Sequence, residues 1–421
     1  MDQSKYRWYV LAVLCLTYAF SIMDRQILSI LLEDIRAEFL LSDTQLGLLS
    51  GLSFALLYAT LGIPIARLAD RSHRVNIISI AVTAWSFSTI ICGFATNYVQ
   101  LFLARVGVGV GEAGGGPPAH SLISDYFEPG RRSIAISIYS LGTSIGAMFG
   151  FLIGGFVAEY YGWRMAFFVA GVPGIFLALL VKLTLREPVR GQLDEKKKEL
   201  SSYGFIETIK QLWANLVYRR ILIGHTFAGL AIYAIFTWLA ALYMRKFGLS
   251  HSEVGLILGG VNLLFGVPGL LLGGYIADKY GKKNAKSRIR IPALALCFSL
   301  PCFVIGVWQD SYIAMSLLIG FGMFSYMISH GPGLAVIQMV VPSNMRAQAA
   351  AYIFFFSNFF GLGLGPVIVG VISDLNLFGS EGDSLSLALS ITMIALIGAI
   401  RWYWTAGSAM DETGLAMEKD G

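Results

Sequence analysis

The chain has 421 residues, 56% hydrophobic and 14% charged, with mean hydropathy +0.67 and a formal net charge of +5. A soluble domain carries about 25% charged residues, so too few remain here to coat a water-soluble globule. The basic residues sit in short connections between apolar runs, where they act as topology signals, which argues against a nucleic-acid partner.

In chain order the apolar runs are 7–32, 44–66, 75–96, 98–124, 132–159, 163–185, 219–244, 252–277, 289–308, 311–341, 346–374 and 384–406. Each is long enough to cross a bilayer core, so an all-α membrane protein of twelve spans is expected. The first run is longer than the apolar region of a signal peptide, has no small-residue cleavage pattern and contains Asp24 and Arg25, so it reads as an uncleaved helix. Cys15, Cys92, Cys297 and Cys302 all fall inside runs and show neither a disulfide framework nor metal spacing. No metal or cofactor is expected.

With the N-terminus inside, 25 Lys and Arg residues fall on the inner side, 4 on the outer side (Arg36, Arg164, Arg245, Lys246) and 2 within spans, accounting for all 31. That bias predicts cytoplasmic termini in a cell (inner) membrane. The long connection holds Lys196–Lys198 and then Phe205, Ile206, Ile209, Leu212, Trp213 and Leu216, an amphipathic spacing that suits a helix on the membrane surface.

The chain repeats itself. Ala66-Arg-Leu-Ala-Asp70-Arg71-Ser-His73-Arg74 lies between spans 2 and 3, and Gly274-Tyr-Ile-Ala-Asp278-Lys279-Tyr-Gly281-Lys-Lys283 lies between spans 8 and 9. Arg132 and Arg346 form a further pair. Two six-helix halves are therefore expected at 1–185 and 219–421, joined by a linker over 186–218, with a central cavity between them.

The loop pair resembles the signature of the major facilitator superfamily, departing at Ala66 and His73, where the family usually has glycine. Span 4 adds Arg105-x-x-x-Gly109-x-Gly111, which resembles the superfamily's buried-arginine motif. More narrowly, Asp24-Arg25, the Arg105–Ala113 segment ending in Gly111-Glu112-Ala113, and Pro117-Pro-Ala-His-Ser-Leu-Ile-Ser-Asp125 resemble the spinster branch. Members of that branch export sphingosine-1-phosphate or lysophospholipids. The compact length suggests a prokaryotic member. The resemblance implies a secondary transporter working by alternating access, with a conformational latch at Asp70, Arg71, Asp278, Lys279, Arg132 and Arg346. Physically, Asp70 and Asp278 can accept backbone N–H groups at a neighbouring helix start.

Four full charges lie well inside spans: Asp24, Arg25, Arg105 and Glu112. Each costs at least ~2.5 kcal/mol at the membrane centre unless paired or wet. Glu112 follows Arg105 by seven residues, two turns along one helix face. Counting depth along the spans places Asp24 opposite Arg105, with Glu112 deeper, while Arg25 is rotated about 100° from Asp24. Helix movement changes both the burial of a carboxylate and its distance from an arginine, which is a route to proton coupling through Asp24 and Glu112, tuned by Arg105 and Arg25. Arg25, Arg105 and Glu112 also face a substrate in this reading. In the second half Tyr233, Trp238, Asn262, Tyr326, His330 and Asn358 are the polar or aromatic candidates for an apolar wall, with His225 nearby.

In span 5, Gly142, Gly146, Gly150 and Gly154 make one bare stripe for close packing. After Glu112 the run Gly114–Gly116 and Pro117–Pro118 interrupts a membrane helix, which survives only against protein or a water-filled cavity. The leading reading is a monomeric, proton-coupled carrier of an amphiphilic lipid-like substrate among membrane lipids. A drug or organic-anion exporter shares every feature except the cavity. An intramembrane enzyme is disfavoured, since no His-Glu-x-x-His, Gly-x-Ser-x-Gly or Walker sequence occurs.

Overall fold

Apolar runs in lipid must satisfy every backbone polar group internally, and helices do so. The computed structural model describes residues 3–190, 205–281, 285–341 and 345–412, and these contain no strand. In order the helices are α1 (Gln3–Phe39), α2 (Asp43–Gly47), α3 (Ser53–Arg71), α4 (Arg74–Gly93), α5 (Tyr98–Glu112), α6 (Gly116–Tyr126), α7 (Pro129–Tyr161), α8 (Trp163–Thr184) and α9 (Phe205–Ala214). They continue as α10 (Leu216–Phe247), α11 (His251–Val261), α12 (Val267–Gly281), α13 (Ala285–Gly306), α14 (Tyr312–Val340), α15 (Arg346–Phe356), α16 (Gly365–Asp374), α17 (Glu381–Met393) and α18 (Ala395–Glu412).

Among the described residues, eleven helical runs are long and apolar enough to cross a membrane. The remaining span, expected over 98–124, is α5 followed by α6. Gly114 N–H bonds the Gly111 carbonyl and Gly115 N–H bonds the Glu112 carbonyl, three-residue bonds that tighten and end α5. Proline then opens α6, where its missing N–H costs nothing.

Wider π-helical turns interrupt three spans, at Leu48–Leu52, Asn262–Gly266 and Ser357–Leu364. The first two occupy corresponding places in the repeat, Leu48 and Asn262 being 214 positions apart. Such turns widen a helix locally and re-aim the side chains after them.

The described chain divides into two compact units, residues 1–199 with 239–259, and residues 200–238 with 260–421. In the first unit the glycine stripe of α7 lies along α1. A Cβ at Gly142 would stand 2.7 Å from the Cys15 carbonyl oxygen, one at Gly150 would stand 2.8 Å from Gln26 Cβ, and one at Gly146 would overlap the Ala19 carbonyl. Only glycine allows the two backbones to approach this closely.

The same unit holds the end of α10 and the start of α11. Arg245, with 4% of its side chain exposed, donates to both Asp43 carboxylate oxygens at 2.7 Å and to Glu33 at 2.9 Å. Its side chain is thus part of a buried ion cluster. Asp43 sits in the first turn of α2, where the helix end favours negative charge, behind a capping box formed by Ser42 and Gln45. His251 lies 3.1 Å from Asp34, and the Ser252 N–H bonds Glu159 at 2.8 Å.

In the second unit α9 turns Thr208 and Leu212 inward and leaves Ile209 and Trp213 exposed, with Arg219 over the Trp213 ring at 5.8 Å. Lys196–Lys198, and the side chains of Phe205 and Ile206, lie outside the described residues.

Candidate functional site

Four helices of the first unit bring the membrane charges together. Ser21, Asp24 and Arg25 come from α1, Phe54 and Tyr58 from α3, Thr89 from α4, and Arg105 and Glu112 from α5. Glycines set how closely these helices meet. A Cβ at Gly109 would stand 2.5 Å from the Phe54 carbonyl oxygen, and one at Gly111 would stand 2.5 Å from the Trp85 nitrogen. The glycines of the buried-arginine motif therefore seat α5 against both α3 and α4.

Glu112 is the last residue of α5, where the helix end disfavours negative charge. Its surroundings offset this. One oxygen, Oε2, accepts from Arg25 Nη2 at 2.5 Å, Arg25 Nε at 2.8 Å and the Ser21 hydroxyl at 2.6 Å. Ser21 and Arg25 are four residues apart, so one face of α1 supplies all three donors. The Arg25 guanidinium also lies 4.5 Å from the Phe54 ring centre and 4.7 Å from that of Tyr58. Those two rings stack at 5.0 Å, four residues apart on α3. The cation is thereby held between a carboxylate and two π-faces.

Asp24, turned about 100° from Arg25, meets a different helix. Its Oδ2 accepts from the Thr89 hydroxyl at 3.0 Å. Asp24 is 2% exposed, Arg105 1% and Glu112 3%. No hydrogen bond or ion pair joins Asp24 to Arg105 among the described residues; the two interact only through space. Asp24 Oδ1, Glu112 Oε1, and Arg105 Nε and Nη1 are buried without a hydrogen-bond partner. The expected Asp24–Arg105 pair is thus replaced by Arg25–Glu112, because seven-residue spacing aligns two groups on one helix but leaves rotation between helices open. Arg105 lies 5.7 Å from the Phe54 ring.

Sequence reasoning missed an aromatic group beside these charges. Tyr18 and Tyr139 stack in parallel at 4.8 Å, and the His120 ring meets Tyr139 edge-on at 5.1 Å. Tyr18 precedes Arg25 by seven residues, so counting helical turns back from Arg25 finds it, as it finds Ser21.

The other candidates are distributed as follows. In the second unit Tyr233 donates to Asn358 Oδ1 at 3.2 Å, and Asn358 Nδ2 donates to the Phe354 carbonyl at 2.7 Å. Tyr326 is buried within electrostatic reach of Tyr233 and Tyr403, and Tyr403 lies 3.2 Å from His225 Nδ1. Asn262 opens one π turn and Asn358 lies in another. Trp238 is buried and donates to the Pro366 carbonyl at 2.9 Å, a contact between helices.

Of the loop residues, Arg132 donates to the Phe127 carbonyl at 3.1 Å, Lys279 lies 5.5 Å from the Tyr275 ring, and Arg71 is exposed at the end of α3. The side chains of Asp70, Asp278, His330 and Arg346 lie outside the described residues. The buried arginine of this region is Arg74. It bonds Asp125, the Ser121 hydroxyl at 2.8 Å and Glu187 at 2.6 Å, and Glu187 also accepts the Val75 N–H at 3.1 Å. Arg190 donates to the Ala69 carbonyl at 2.6 Å and to that of Ser72, closing the end of α3.

An open cavity of about 570 Å³ is lined by Asp34, Glu38, Glu159, Trp163 and His251, away from the four membrane charges.

Residues 14–366 match the Major Facilitator Superfamily. The chain belongs to this superfamily. It is a spinster-like membrane transporter and not an enzyme. It is 32% identical to an MFS-type efflux pump of Mycolicibacterium smegmatis, over 95% of this chain and 92% of that one. It is 28% identical to protein spinster homolog 1 of Xenopus tropicalis, over 99% of this chain and 82% of that protein. The fold also matches the crystal structure of a bacterial homolog to the human lysosomal transporter spinster in an inward-facing, unoccupied conformation. The TM-score is 0.87, with 29% identity and 99% of both chains covered.

Proposed function

We propose that this superfamily member is a proton-coupled secondary transporter that moves an amphiphilic, lipid-like substrate of the sphingosine-1-phosphate or lysophospholipid type by alternating access. Asp24 and Glu112 bind and release the protons, and Arg105 and Arg25 set when they do. The arrangement that supports this is one buried cluster with two carboxylates and two arginines, in which Arg25 pairs with Glu112 while Asp24 Oδ1, Glu112 Oε1 and Arg105 Nε and Nη1 have no hydrogen-bond partner among the described residues. Among the described residues Asp24 has one hydroxyl donor and no bonded cation. A change of partner during the cycle alters its charge balance. The lipid-like substrate rests on what the resemblance to the spinster branch implies and on the aromatic and amide groups around Tyr233 and Asn358.

In this reading the halves 1–185 and 219–421 alternate about the linker. The termini are cytoplasmic and the membrane is the cell's inner membrane. The transporter acts as a monomer. The loop residues Asp70, Arg71, Asp278, Lys279, Arg132 and Arg346 latch one state.

A second reading, a proton-coupled exporter of drugs or organic anions, is favoured by the efflux pump named among the relatives. One experiment tests both. Purified protein in liposomes is given sphingosine-1-phosphate, a lysophospholipid, an organic anion and a cationic dye, with and without an imposed pH gradient. Gradient-driven uptake of the lipids, lost in Asp24→Asn and Glu112→Gln, supports the first reading. Uptake of only the dye or anion selects the second, and normal gradient-driven accumulation in both variants removes the proton role of these carboxylates.

A further inference from the structure

The group that meets Asp24 is a hydroxyl, and a hydroxyl can reverse its hydrogen bond. Thr89 is fully buried and its Oγ1 stands 3.0 Å from Asp24 Oδ2, the one hydrogen bond Asp24 makes among the described residues. Toward a carboxylate, Thr89 must donate. Toward a protonated carboxyl it can accept, which frees its own proton. In a helix a threonine hydroxyl then reaches the carbonyl four residues back, here that of Trp85.

Trp85 is where α4 touches the break in the neighbouring span. Its backbone nitrogen would stand 2.5 Å from a Cβ on Gly111, and its ring 3.4 Å from one on Gly115. Gly111 and Gly115 flank Glu112 on either side of the point where α5 ends and α6 begins. Trp85 Nε1 and the Ser86 hydroxyl, on the same turn of α4, are buried without a partner.

We propose that Thr89 is a positioning residue that reads the protonation of Asp24 and passes it along α4 to the α5–α6 break. The inference rests on the reading of Asp24 as a proton carrier. When Asp24 is charged, the Thr89 proton points at it. When Asp24 takes up a proton, that proton points at Thr89, and the Thr89 proton turns to the Trp85 carbonyl. The one covalent change is the O–H bond that forms on Asp24, with the proton supplied from the medium; Thr89 keeps its own proton and only its hydrogen bond changes direction. The charged or titratable groups facing Asp24 are Arg25 on its own helix, Arg105 and Glu112 on α5, and Cys92 on α4. None of these donates a hydrogen bond to it, so Thr89 is the group whose loss the carboxyl feels directly.

The test needs no substrate. The purified full-length protein is titrated with pH by infrared difference spectroscopy, which reads the carbonyl stretch of a protonated carboxyl group. Asp24→Asn identifies the Asp24 band by its loss. Thr89→Val removes the donor at nearly constant size, and Thr89→Ser keeps it. In Thr89→Val the midpoint of the Asp24 band moves to higher pH by about one unit, because a donor to the charged form is gone, and the band itself shifts in frequency. Thr89→Ser restores both. An Asp24 band with the native midpoint and frequency in a folded Thr89→Val protein overturns the role of Thr89 and leaves Asp24 standing. A spectrum in which Asp24→Asn removes no titrating band overturns the proton reading of Asp24, and the role of Thr89 with it.

Discussion

Arg25 places two nitrogens on a single oxygen of Glu112, Nη2 at 2.5 Å and Nε at 2.8 Å, while the other carboxylate oxygen is buried without a partner. The geometry is one-sided. A side-on guanidinium normally spreads its two donors over both oxygens. Here the Phe54 and Tyr58 rings hold the guanidinium plane, and Ser21 adds a third donor to the same oxygen.

Removing one partner of this pair strands the other. Arg25→Met is expected to lower stability by about 3–5 kcal/mol, because a buried carboxylate loses its cation. The double variant Arg25→Met with Glu112→Leu recovers most of that loss while abolishing transport. Thermal unfolding in detergent reads the first effect and liposome uptake the second. Equal stability of the single and double variants would refute the coupling.

The α1–α7 contact predicts opposite outcomes for two glycines. Gly146→Ala puts a methyl group onto the Ala19 carbonyl and is expected to cost about 1–3 kcal/mol. Gly62→Ala meets nothing within 4 Å and is expected to be tolerated. Comparing the melting temperatures of the two variants checks this.

Arg245 answers two acids. Arg245→Gln leaves Asp43 and Glu33 with their longer contacts to Arg36, at 3.7 and 3.6 Å, and is expected to loosen the segment 239–259 from α1 and α2. Hydrogen exchange should rise there and at residues 33–43 and stay unchanged in α13 and α14. Asp43→Asn retains one acceptor for Arg245 and is expected to show a smaller rise.

Arg74 is buried between Asp125 and Glu187, so salt screens it poorly. Arg74→Lys keeps the charge and loses the planar fork, and is expected to cost about 2 kcal/mol or more. Unfolding at low and at high salt should show the same difference between the native protein and the variant. A difference that vanishes in salt would mean a merely superficial pair.

Tyr233→Phe removes the hydrogen bond to Asn358. The expected cost in stability is about 1 kcal/mol. If this wall contacts the substrate, KM for the transported lipid changes several-fold while the maximal rate stays near native. An unchanged KM assigns the pair to packing alone.

Most of the fold was legible in the chain because membrane helices obey local rules. Length and hydropathy mark the spans, and four-residue spacing marks the glycine stripe that seats α7 on α1. Glycine and proline after Glu112 mark the break between α5 and α6. The seven-residue spacing of Arg105 and Glu112 rightly put both on one face. In the sequence Arg245 counts only as an outer-side charge, because a basic residue at the end of a span looks the same whether it faces water or two buried acids. Thr89 escaped because a lone threonine in an apolar helix carries no pattern.

The sequence by itself determined which charges enter the membrane and on which helices they travel, since both follow from periodicity along one chain. Only the tertiary structure decided that Arg25 takes Glu112 and that Asp24 takes Thr89. Those pairings depend on the rotation and axial register of α1 against α4 and α5. Register is set where backbones touch, at Gly109 on Phe54, Gly111 on Trp85 and Gly146 on Ala19, and no spacing within a single helix encodes which neighbour it will meet.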